Sequence, residues 1–497
     1  MGKYIHKFDS AAELQAEYGK RNYLEPWVSY TEENEEVKYN ISEQESLNIP
    51  FTVNILSEGA ITWQLNDKVV LYSKNEESWK TMSSTTIINV VEGDEIRFKG
   101  SNSNYNGNTF QSSAQFYVRG NIMSLIDQDN FSTLKTVEEF AFRRLFWLSQ
   151  SLLYADKLLL PALTLATSCY EALFGYCSNL TKAPKLPATV LQESCYKWMF
   201  EGCIRLRKSP KLPATTLAKD CYYCMFGSSG LFEAPELPAT ELAYQCYIGM
   251  FYRCHDLRKA MKILPAMTLT YGCYVQMFEE CLNLTNAPEL PATNLAQYCY
   301  YYMFRDCNHL TDPPELPATV LTSHCYDSMF FGANITRAPE LPATVLAPSC
   351  YEDMFKGCIY ITNAPVLNAT TLAENCYQGM FSDCTNLINV QQVLPATTLA
   401  NSCYSEMFYN CNNITTAPEL PALELVTDCY YEMFYSCDKL NYVKAMFLTT
   451  PSSEYTSGWL AGVVYRNGTF VANINATWEL RGIDGVPTNW TLQREAP

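Results

Sequence analysis

The sequence predicts an α/β repeat solenoid of eleven repeats, about 26 residues each, preceded by a small all-β sandwich domain. A Cys-Tyr pair recurs eleven times from Cys169 to Cys429, at intervals of 25 to 27 residues. Residues 48 to 118 instead contain short runs of β-branched and aromatic residues, separated by polar and glycine turns. A fixed period of this length indicates a repeat architecture in which each unit packs mainly against its neighbours.

Each repeat is predicted to contain one extended segment and one short helix. Phe follows the first cysteine at plus five in all eleven copies, and Met occupies plus four in ten. In the repeat from Leu284 to Cys307, apolar residues recur at i, i+4 and i+8 from Cys299, with aromatic residues at i+1 and i+5. This spacing predicts the buried face of a helix. Pro288 and Pro291 disfavour helix before it and limit any strand to two or three residues.

The repeats are flanked by segments of different composition, so five regions are predicted. Residues 1–45 contain Pro26, Trp27 and Tyr30 but too little mass for a core, which favours a segment that attaches to something else. The remaining regions are a β-sandwich domain at 46–118, an N-terminal solenoid cap at 119–160, the solenoid at 161–447 and a C-terminal cap at 448–497. End units of a solenoid need a modified outer face.

Charge and composition exclude several classes of partner. The formal net charge of −17 argues against nucleic acid, whose binding depends on Lys and Arg contacts to phosphate, and against an anionic membrane surface. No apolar stretch approaches the length of a membrane span, so no membrane insertion is expected. The first residues show no signal peptide, which leads us to expect synthesis in a reducing cytoplasm.

The 21 cysteines are predicted to be buried core residues. Nine of them follow the first cysteine of a repeat at plus eight, but Ser229 and Ala333 replace this thiol in two repeats. Such replacement suits a small buried side chain better than a required ligand. Disulfides between neighbouring repeats and metal binding are the alternatives.

No catalytic, cofactor-binding or metal-binding residues are predicted. The four histidines, His6, His255, His309 and His324, do not form a metal-site spacing, and we expect the three on repeats to be solvated surface residues. A glycine-rich phosphate loop and a Gly-x-Ser-x-Gly nucleophile elbow are both absent from the sequence. The chain is therefore expected to be non-enzymatic.

Binding residues are sought at positions that vary between repeats. Large aromatic residues there suit sugar stacking or protein contacts, with burial between repeats as the alternative; they are Trp198, Tyr223, Tyr252, Tyr301, Tyr302, Phe331, Tyr409, Tyr431 and Tyr435. A second set follows the proline of the extended segment and predicts a partly continuous acidic stripe after Lys185 and Lys211: Glu236, Glu289, Glu315, Glu340 and Glu419. The stripe suits a basic partner or a cation, or else simply favours solubility.

The repeat motif Leu-Thr-x-Ala-Pro-x-Leu-Pro-Ala-Thr-x-Leu-Ala-x-x-Cys-Tyr-x-x-Met-Phe-x-x-Cys resembles the BspA-like leucine-rich repeats of bacterial surface proteins. The resemblance covers residues 161–447 and implies a leucine-rich-repeat-like solenoid and a role in adhesion to host or matrix components. The ending, from Trp459-Leu460-Ala461-Gly462 to Trp490-Thr491, resembles the cap of such proteins in Bacteroides-type bacteria and their phages.

The opening segments Tyr4–Asp9 and Glu25–Glu32 resemble leading segments of such proteins in tailed phages, including crAss-like ones. This resemblance implies a virion structural protein of the head-fibre or decoration type. Residues 1–45 would contact capsid or other virion proteins, and the solenoid would bind a host-cell or mucosal glycan or protein. A homo-oligomer, often a trimer, is expected for such a protein. The alternative is a bacterial BspA-like surface adhesin or interaction protein located on the cell surface.

Overall fold

The computed structural model describes residues 46–464 and 467–496. The predicted attachment residues Pro26, Trp27 and Tyr30 lie outside these ranges, so that prediction is not tested. The described residues form a strand-rich structure with few helical residues, among them the 3-10 turn Ile122–Leu125. Within the same ranges, no helix is long and apolar enough to cross a membrane.

Nine strands precede the repeats and form two sheets. The larger sheet has the order β4-β3-β6-β1-β8-β9 and the smaller has the order β5-β2-β7. Neighbouring strands are antiparallel except β8 and β9, which are parallel. The bounds are β1 Phe51–Ile55, β2 Gly59–Trp63, β3 Val70–Lys74, β4 Lys80–Met82, β5 Ile88–Val90, β6 Glu95–Gly100, β7 Phe110–Ser112, β8 Phe116–Asn121 and β9 Leu152–Leu159.

Aromatic side chains from both sheets meet in one core. Burial alternates along β6, where Ile96 and Phe98 are buried and Arg97 is half-buried, as a period of two requires. The Trp63 ring of the smaller sheet lies 5.4 Å from the Phe98 ring of the larger one, centroid to centroid. Two sheets therefore face each other here, while the boundary of a separate domain at residue 118 stays a prediction.

The larger sheet continues into the repeats. β9 pairs in parallel with β8, and Tyr154 in β9 forms a parallel bridge to Lys182 in the first Cys-Tyr repeat. The Tyr105 ring stacks on Phe142 at 6.3 Å, and Phe142 stacks on Tyr170 at 5.8 Å. The β-rich region thus covers the first repeat instead of standing apart from it.

The predicted helix is absent from the described repeats, and this part of the α/β prediction is wrong. Between Cys299 and Cys307, alternate main-chain N–H groups donate to the carbonyl three residues earlier, as Cys299 does to Ala296 and Met303 to Tyr300. The intervening N–H groups donate to the next repeat, as Phe304 does to Met329 at 2.9 Å. A helix would keep all of these bonds within the segment, so the segment is a row of tight turns. We call it the turn ribbon.

Left-handed backbone conformations explain why the turn ribbon is not helical. In this repeat Tyr298, Tyr302 and Asp306 have φ between 56° and 58°, at intervals of four residues. Every other Cys-Tyr repeat has positive φ at the same three positions, and glycine occupies some of them, including Gly202 and Gly379. A right-handed helix cannot contain such residues every fourth position.

The extended side of each repeat makes single parallel bridges where strands of two or three residues were predicted. Ile263 bridges Glu289, and Asn294 bridges Val320. The prolines explain the difference, because Pro288 and Pro291 flank the dipeptide Glu289-Leu290 and neither can donate a main-chain hydrogen bond.

Two columns of stacked rings fill the solenoid. The Tyr residues after the first cysteines stack from Tyr170 to Tyr430 with centroids 5.5–6.0 Å apart and planes within 14° of parallel. The Phe residues at plus five stack from Phe174 to Phe434 at 5.4–5.9 Å. Each repeat stacks its rings on those of the repeats beside it, which makes the solenoid dependent on its end units.

A parallel three-stranded sheet covers the last repeat. Its order is β10-β11-β12, with bounds Tyr442–Ala445, Thr469–Asn473 and Thr491–Glu495. The buried Trp459 ring stacks on Tyr430 at 6.2 Å and ends the tyrosine column. The Trp459 Nε1–H donates to the Gly485 carbonyl at 3.0 Å, which fixes the ring in place.

Candidate functional site

The cysteines form buried columns, which confirms that they are core residues. All 21 are unpaired, and all but the half-buried Cys224 are buried. Each of the nine thiols at plus eight donates to a Phe carbonyl in the preceding unit at 2.9–3.2 Å. Burial raises the pKa of the Cys169 thiol to about 12. Because the thiolate is the reactive form, these cysteines are poor nucleophiles in the folded chain.

The outward side of the turn ribbons is the candidate binding surface, and we call it the turn face. It consists of the second, third, sixth and seventh residues after each first cysteine, which in one repeat are Tyr301, Tyr302, Arg305 and Asp306. All nine predicted aromatic residues lie on it, and all nine are half-buried. The turn face therefore presents aromatic rings with one side packed and the other open.

These aromatic residues form separate groups along the solenoid, not one continuous patch. Trp198 and Tyr223 pack at 5.9 Å, and the Lys197 ammonium lies 4.5 Å from each ring. Further along the turn face, Tyr409 and Tyr435 stack at 4.9 Å.

A middle group surrounds Arg305. Its guanidinium lies 4.8 Å from the Tyr302 ring and 5.1 Å from the Phe331 ring, and Tyr301 packs on Tyr302 at 4.0 Å. Two repeats earlier, the Arg253 guanidinium lies 4.9 Å from the Tyr252 ring. Cations beside aromatic rings thus recur on the turn face.

A groove of about 440 Å³ lies on the turn face at the N-terminal end of the solenoid. Trp147 and Tyr176 meet at 5.0 Å with their planes 76° apart. Gly175 and Gly202 make room for these rings, because a Cβ at either glycine would overlap Trp147 or Tyr176 respectively. Six residues line the groove: Arg144, Trp147, Leu148, Tyr176, Trp198 and Glu201.

The groove carries one charge of each sign. Glu201 is hydrogen-bonded to the Tyr176 side chain, and burial raises the pKa of the Glu201 carboxyl. The Arg144 guanidinium lies 5.2 Å from the Trp147 ring, and its buried Nε–H has no hydrogen-bond partner within the described residues. Of the lining residues, only Trp198 was predicted. Trp147 was missed because its unit lacks the Cys-Tyr pair, although Phe142 and Phe146 keep the spacing.

The predicted acidic stripe is interrupted along the solenoid. Glu289, Glu315 and Glu340 are exposed in three successive repeats, but the bridge partner of Glu289 on the other side is Ile263. The exposed Glu236 lies beyond that interruption. Arg337 pairs with Glu315 at 3.2 Å, and Lys444 pairs with the half-buried Glu419 at 3.3 Å, so part of the negative charge is compensated.

The sequence did not predict a partly exposed column of rings. Tyr244 and Tyr271 stack at 5.0 Å, Tyr298 packs against Tyr271, and His324 stacks on Tyr298 at 4.5 Å. Tyr244 is 45 % exposed. These residues lie one or two positions before the first cysteine of successive repeats, and an alignment of the repeats would have placed them side by side.

His324 also belongs to a group of possible metal ligands. Its Nδ1 lies 2.8 Å from an Asp327 carboxylate oxygen, and Glu352 brings a second carboxylate. The expectation that His324 is a solvated surface residue is wrong, because it is half-buried between Tyr298 and Asp327. The spacing of these three residues in the sequence did not predict the group, because Glu352 belongs to the next repeat.

No protein-family model and no curated protein matches this chain. Among solved structures it is similar to a leucine-rich repeat protein from Bacteroides ovatus, at 15% identity and a TM-score of 0.45, over 73% of this chain and 90% of that one. It is also similar to a leucine-rich cell surface protein from Faecalibacterium prausnitzii, at 13% identity and a TM-score of 0.32, over 67% and 86%. At these TM-scores neither neighbour carries an argument about function.

Proposed function

We propose that this chain is a non-enzymatic surface protein that binds glycans through its turn face. The groove formed by Trp147, Tyr176 and Trp198 is the observation that carries this proposal. Its volume of about 440 Å³ suits one or two sugar units, since small-molecule sites commonly measure about 300–1,000 Å³.

The chemistry of the groove favours a sugar over an apolar ligand. The planes of the Trp147 and Tyr176 rings are 76° apart, so one ring can stack on the C–H face of a sugar while the other contacts the edge of the sugar. Arg144 supplies donors and Glu201 supplies acceptors for hydroxyl groups. These polar groups at the edge of the aromatic surface would orient the bound sugar and also increase its affinity.

Binding is favoured over glycan hydrolysis by the number of carboxylates. Glycoside hydrolysis ordinarily needs two, one on each side of the scissile bond. Glu201 is the single carboxylate among the residues that line the groove. A bound glycan would therefore be held and not cleaved.

A glycan array probed with the full chain, followed by calorimetry on the best ligand, tests this proposal. Trp147→Ala and Trp198→Ala should each weaken binding at least about tenfold, which corresponds to roughly 1.4 kcal/mol of lost stacking. Ala is tolerated at position 198, because Ala172 occupies the equivalent position in the preceding repeat with φ 52°.

Tyr409→Ala is the matched control, since Tyr409 is a half-buried turn-face aromatic far along the chain from the groove. Equal loss in all three variants, or hydrolysis of the glycan by the wild-type chain, would contradict the proposal. If the turn face binds a protein and no glycan, the hypothesis of an adhesin with a protein ligand replaces the proposal of glycan binding.

The surface that displays the solenoid is proposed to be that of a bacterial cell, in keeping with the repeat motif. The virion hypothesis, with homo-oligomers attached to capsid proteins, depends on the resemblance at residues 1–45. Mass spectrometry of gradient-purified particles and of cell envelopes separates the two. Particle association that is lost when residues 1–45 are removed would favour the virion, and recovery in the envelope of intact cells would favour the bacterial surface.

A further inference from the structure

Two carboxylates and an imidazole converge between the seventh and eighth Cys-Tyr repeats. His324 precedes Cys325, Asp327 follows it at plus two, and Glu352 is the plus-two residue of the next repeat. The main-chain N–H of Ser328 donates to the Glu352 carbonyl at 2.8 Å, so the two ribbons hold these residues side by side. One ligand atom from each of His324, Asp327 and Glu352 lies within 4.8 Å of the other two.

This pairing of acidic residues is unusual for the turn face. Along the plus-two column the neighbours of Asp327 and Glu352 are Tyr301 on one side and Gln378 on the other. The column also holds Glu171, but that carboxylate pairs with Arg143 at 2.8 Å. Asp327 and Glu352 are the adjacent pair of acids in the column, and a histidine borders them.

The carboxylates are partly removed from water, and the basic side chain that contacts Asp327 is His324 itself. Asp327 is only 7 % exposed and Glu352 is half-buried. Ligand oxygens of the two carboxyl groups lie within 4.8 Å of each other, so the ionised groups repel. The nearby Lys356 ammonium pairs with Asp353 at 3.3 Å. A divalent cation would offset both burial and repulsion.

Neighbouring groups orient all three side chains. The Ser328 hydroxyl donates to the second Asp327 oxygen at 2.7 Å, and a Ser349 hydrogen bond holds Glu352. The His324 ring lies flat on Tyr298, with the planes 9° apart. Hydrogen bonds to ligating carboxylates and a fixed imidazole plane are features of metal sites.

We propose that His324, Asp327 and Glu352 bind a divalent transition-metal cation of the zinc type. An imidazole with two carboxylates suits Zn²⁺, whereas Ca²⁺ takes six to eight oxygen ligands. Zn²⁺ bonds of about 2.0–2.2 Å place tetrahedral ligand atoms roughly 3.4 Å apart, so side-chain shifts of about 1 Å would complete the site. The His324 Nδ1 and Asp327 oxygen, now hydrogen-bonded, would both turn to the metal. Three protein ligands leave a fourth position open to solvent.

The test is titration of the full, chelator-treated chain with Zn²⁺ by calorimetry and with Co²⁺ by visible absorption. We expect one site per chain and a cobalt spectrum without thiolate charge transfer, since the ligands are nitrogen and oxygen. His324→Asn and Glu352→Gln should each weaken binding at least about tenfold. Asn tolerates the φ of 55° at position 324, and Gln keeps the size of Glu352.

His309→Ala and Glu315→Gln are matched controls on other repeats and should leave the affinity unchanged. Circular dichroism and thermal unfolding of the metal-free variants check that each remains folded. Absence of stoichiometric binding at millimolar Zn²⁺, a thiolate spectrum, or affinity unchanged in both His324→Asn and Glu352→Gln would overturn the proposal. Glycan binding at the groove is measured separately and does not depend on this result.

Discussion

The Sγ of Cys307 lies 3.1 Å from the main-chain oxygen of Phe278, one repeat earlier in the solenoid. The same bond recurs at the other eight plus-eight cysteines, so the thiol acts as a small donor between repeats. That buried carbonyl also accepts the main-chain N–H of Cys281 at 3.0 Å, so the thiol adds a second hydrogen bond to it. This relationship explains why Cys is preferred there although Ala333 shows that a repeat can form without it.

Cys307→Ala should lower the free energy of unfolding by about 1–2 kcal/mol, through the lost hydrogen bond and the small cavity left by sulfur. Chemical denaturation followed by fluorescence measures the change. Asn308→Ala, at the adjacent exposed position, should have little effect. Greater stability of Cys307→Ala would mean that the thiol contributes neither packing nor a hydrogen bond.

Thiol labelling should distinguish Cys224 from the other cysteines. Cys224 is half-buried, and burial raises its pKa to about 12, so even this thiol is about 10⁻⁴ ionised at pH 8. We expect slow labelling of Cys224 and almost none elsewhere in the native chain, then labelling of all 21 after denaturation. Mass spectrometry counts the labels, and Cys224→Ser should abolish the slow native phase. Rapid native labelling of several cysteines would be inconsistent with the buried columns.

Glu406→Gly tests the turn ribbon against a helix. Glu406 has φ 53°, so glycine should relieve strain and stabilise the chain by about 0.5–1 kcal/mol. In a helix the same change would cost about that much. Glu424→Gly is the control, because Glu424 is exposed and is not among the residues with positive φ. Thermal unfolding should rank Glu406→Gly above wild type and Glu424→Gly below it.

Trp459→Ala should loosen the C-terminal end of the solenoid. The change removes a buried ring that stacks on Tyr430 and donates to Gly485, at a cost of about 3–5 kcal/mol. Because repeats contact mainly their neighbours, hydrogen exchange should increase from about residue 430 onward and little in the middle repeats. Trp79→Ala, at a 41 % exposed ring in the β-rich region, should not cause this pattern. A uniform increase along the chain would argue against neighbour-limited packing.

Asp353 should make stability depend on pH. Burial raises its pKa from 3.8 to about 6, partly opposed by Lys356, with Glu352 and Glu406 adding to the rise. Between pH 3.8 and about 6, Asp353 is therefore protonated in the folded chain and ionised in the unfolded chain. Stability from this group is greatest below pH 4 and falls as pH rises to about 6, by on the order of 2 kcal/mol.

Asp353→Asn should remove this slope, since Asn stays neutral and tolerates the φ of 48°. Asp438→Asn, at an exposed position, should leave the slope intact. Denaturation midpoints between pH 4 and 7 give the comparison. If wild type and Asp353→Asn differ by a constant amount at every pH, the raised pKa is contradicted.

The sequence predicted which side chains are buried better than it predicted the backbone. Cys299, Tyr300, Met303 and Phe304 are buried as expected. Burial follows a pattern of two residues inward and two outward, and over nine residues a period of four is hard to distinguish from the 3.6 of a helix. Glycine at the left-handed positions, as in Gly202 and Gly249, was a signal against the helix.

The candidate sites were predicted least well, because their residues come from different repeats or from atypical units. Trp198 was identified, but Trp147 belongs to a unit without the Cys-Tyr pair. Asp327 and Glu352 are 25 residues apart, and the register between neighbouring ribbons brings them together. A repeat alignment could have paired these acids, but not the orientation of His324 on Tyr298.

The sequence by itself determined the period, the buried columns and the places where side chains vary, because burial in a solenoid repeats with the sequence. The tertiary structure decided the backbone conformation and the sites. Half of the ribbon N–H groups, such as that of Phe304, find their acceptors in the next repeat. A hydrogen bond to a residue some 26 positions away has no local signature, so turn and helix could be separated only once the repeats were stacked.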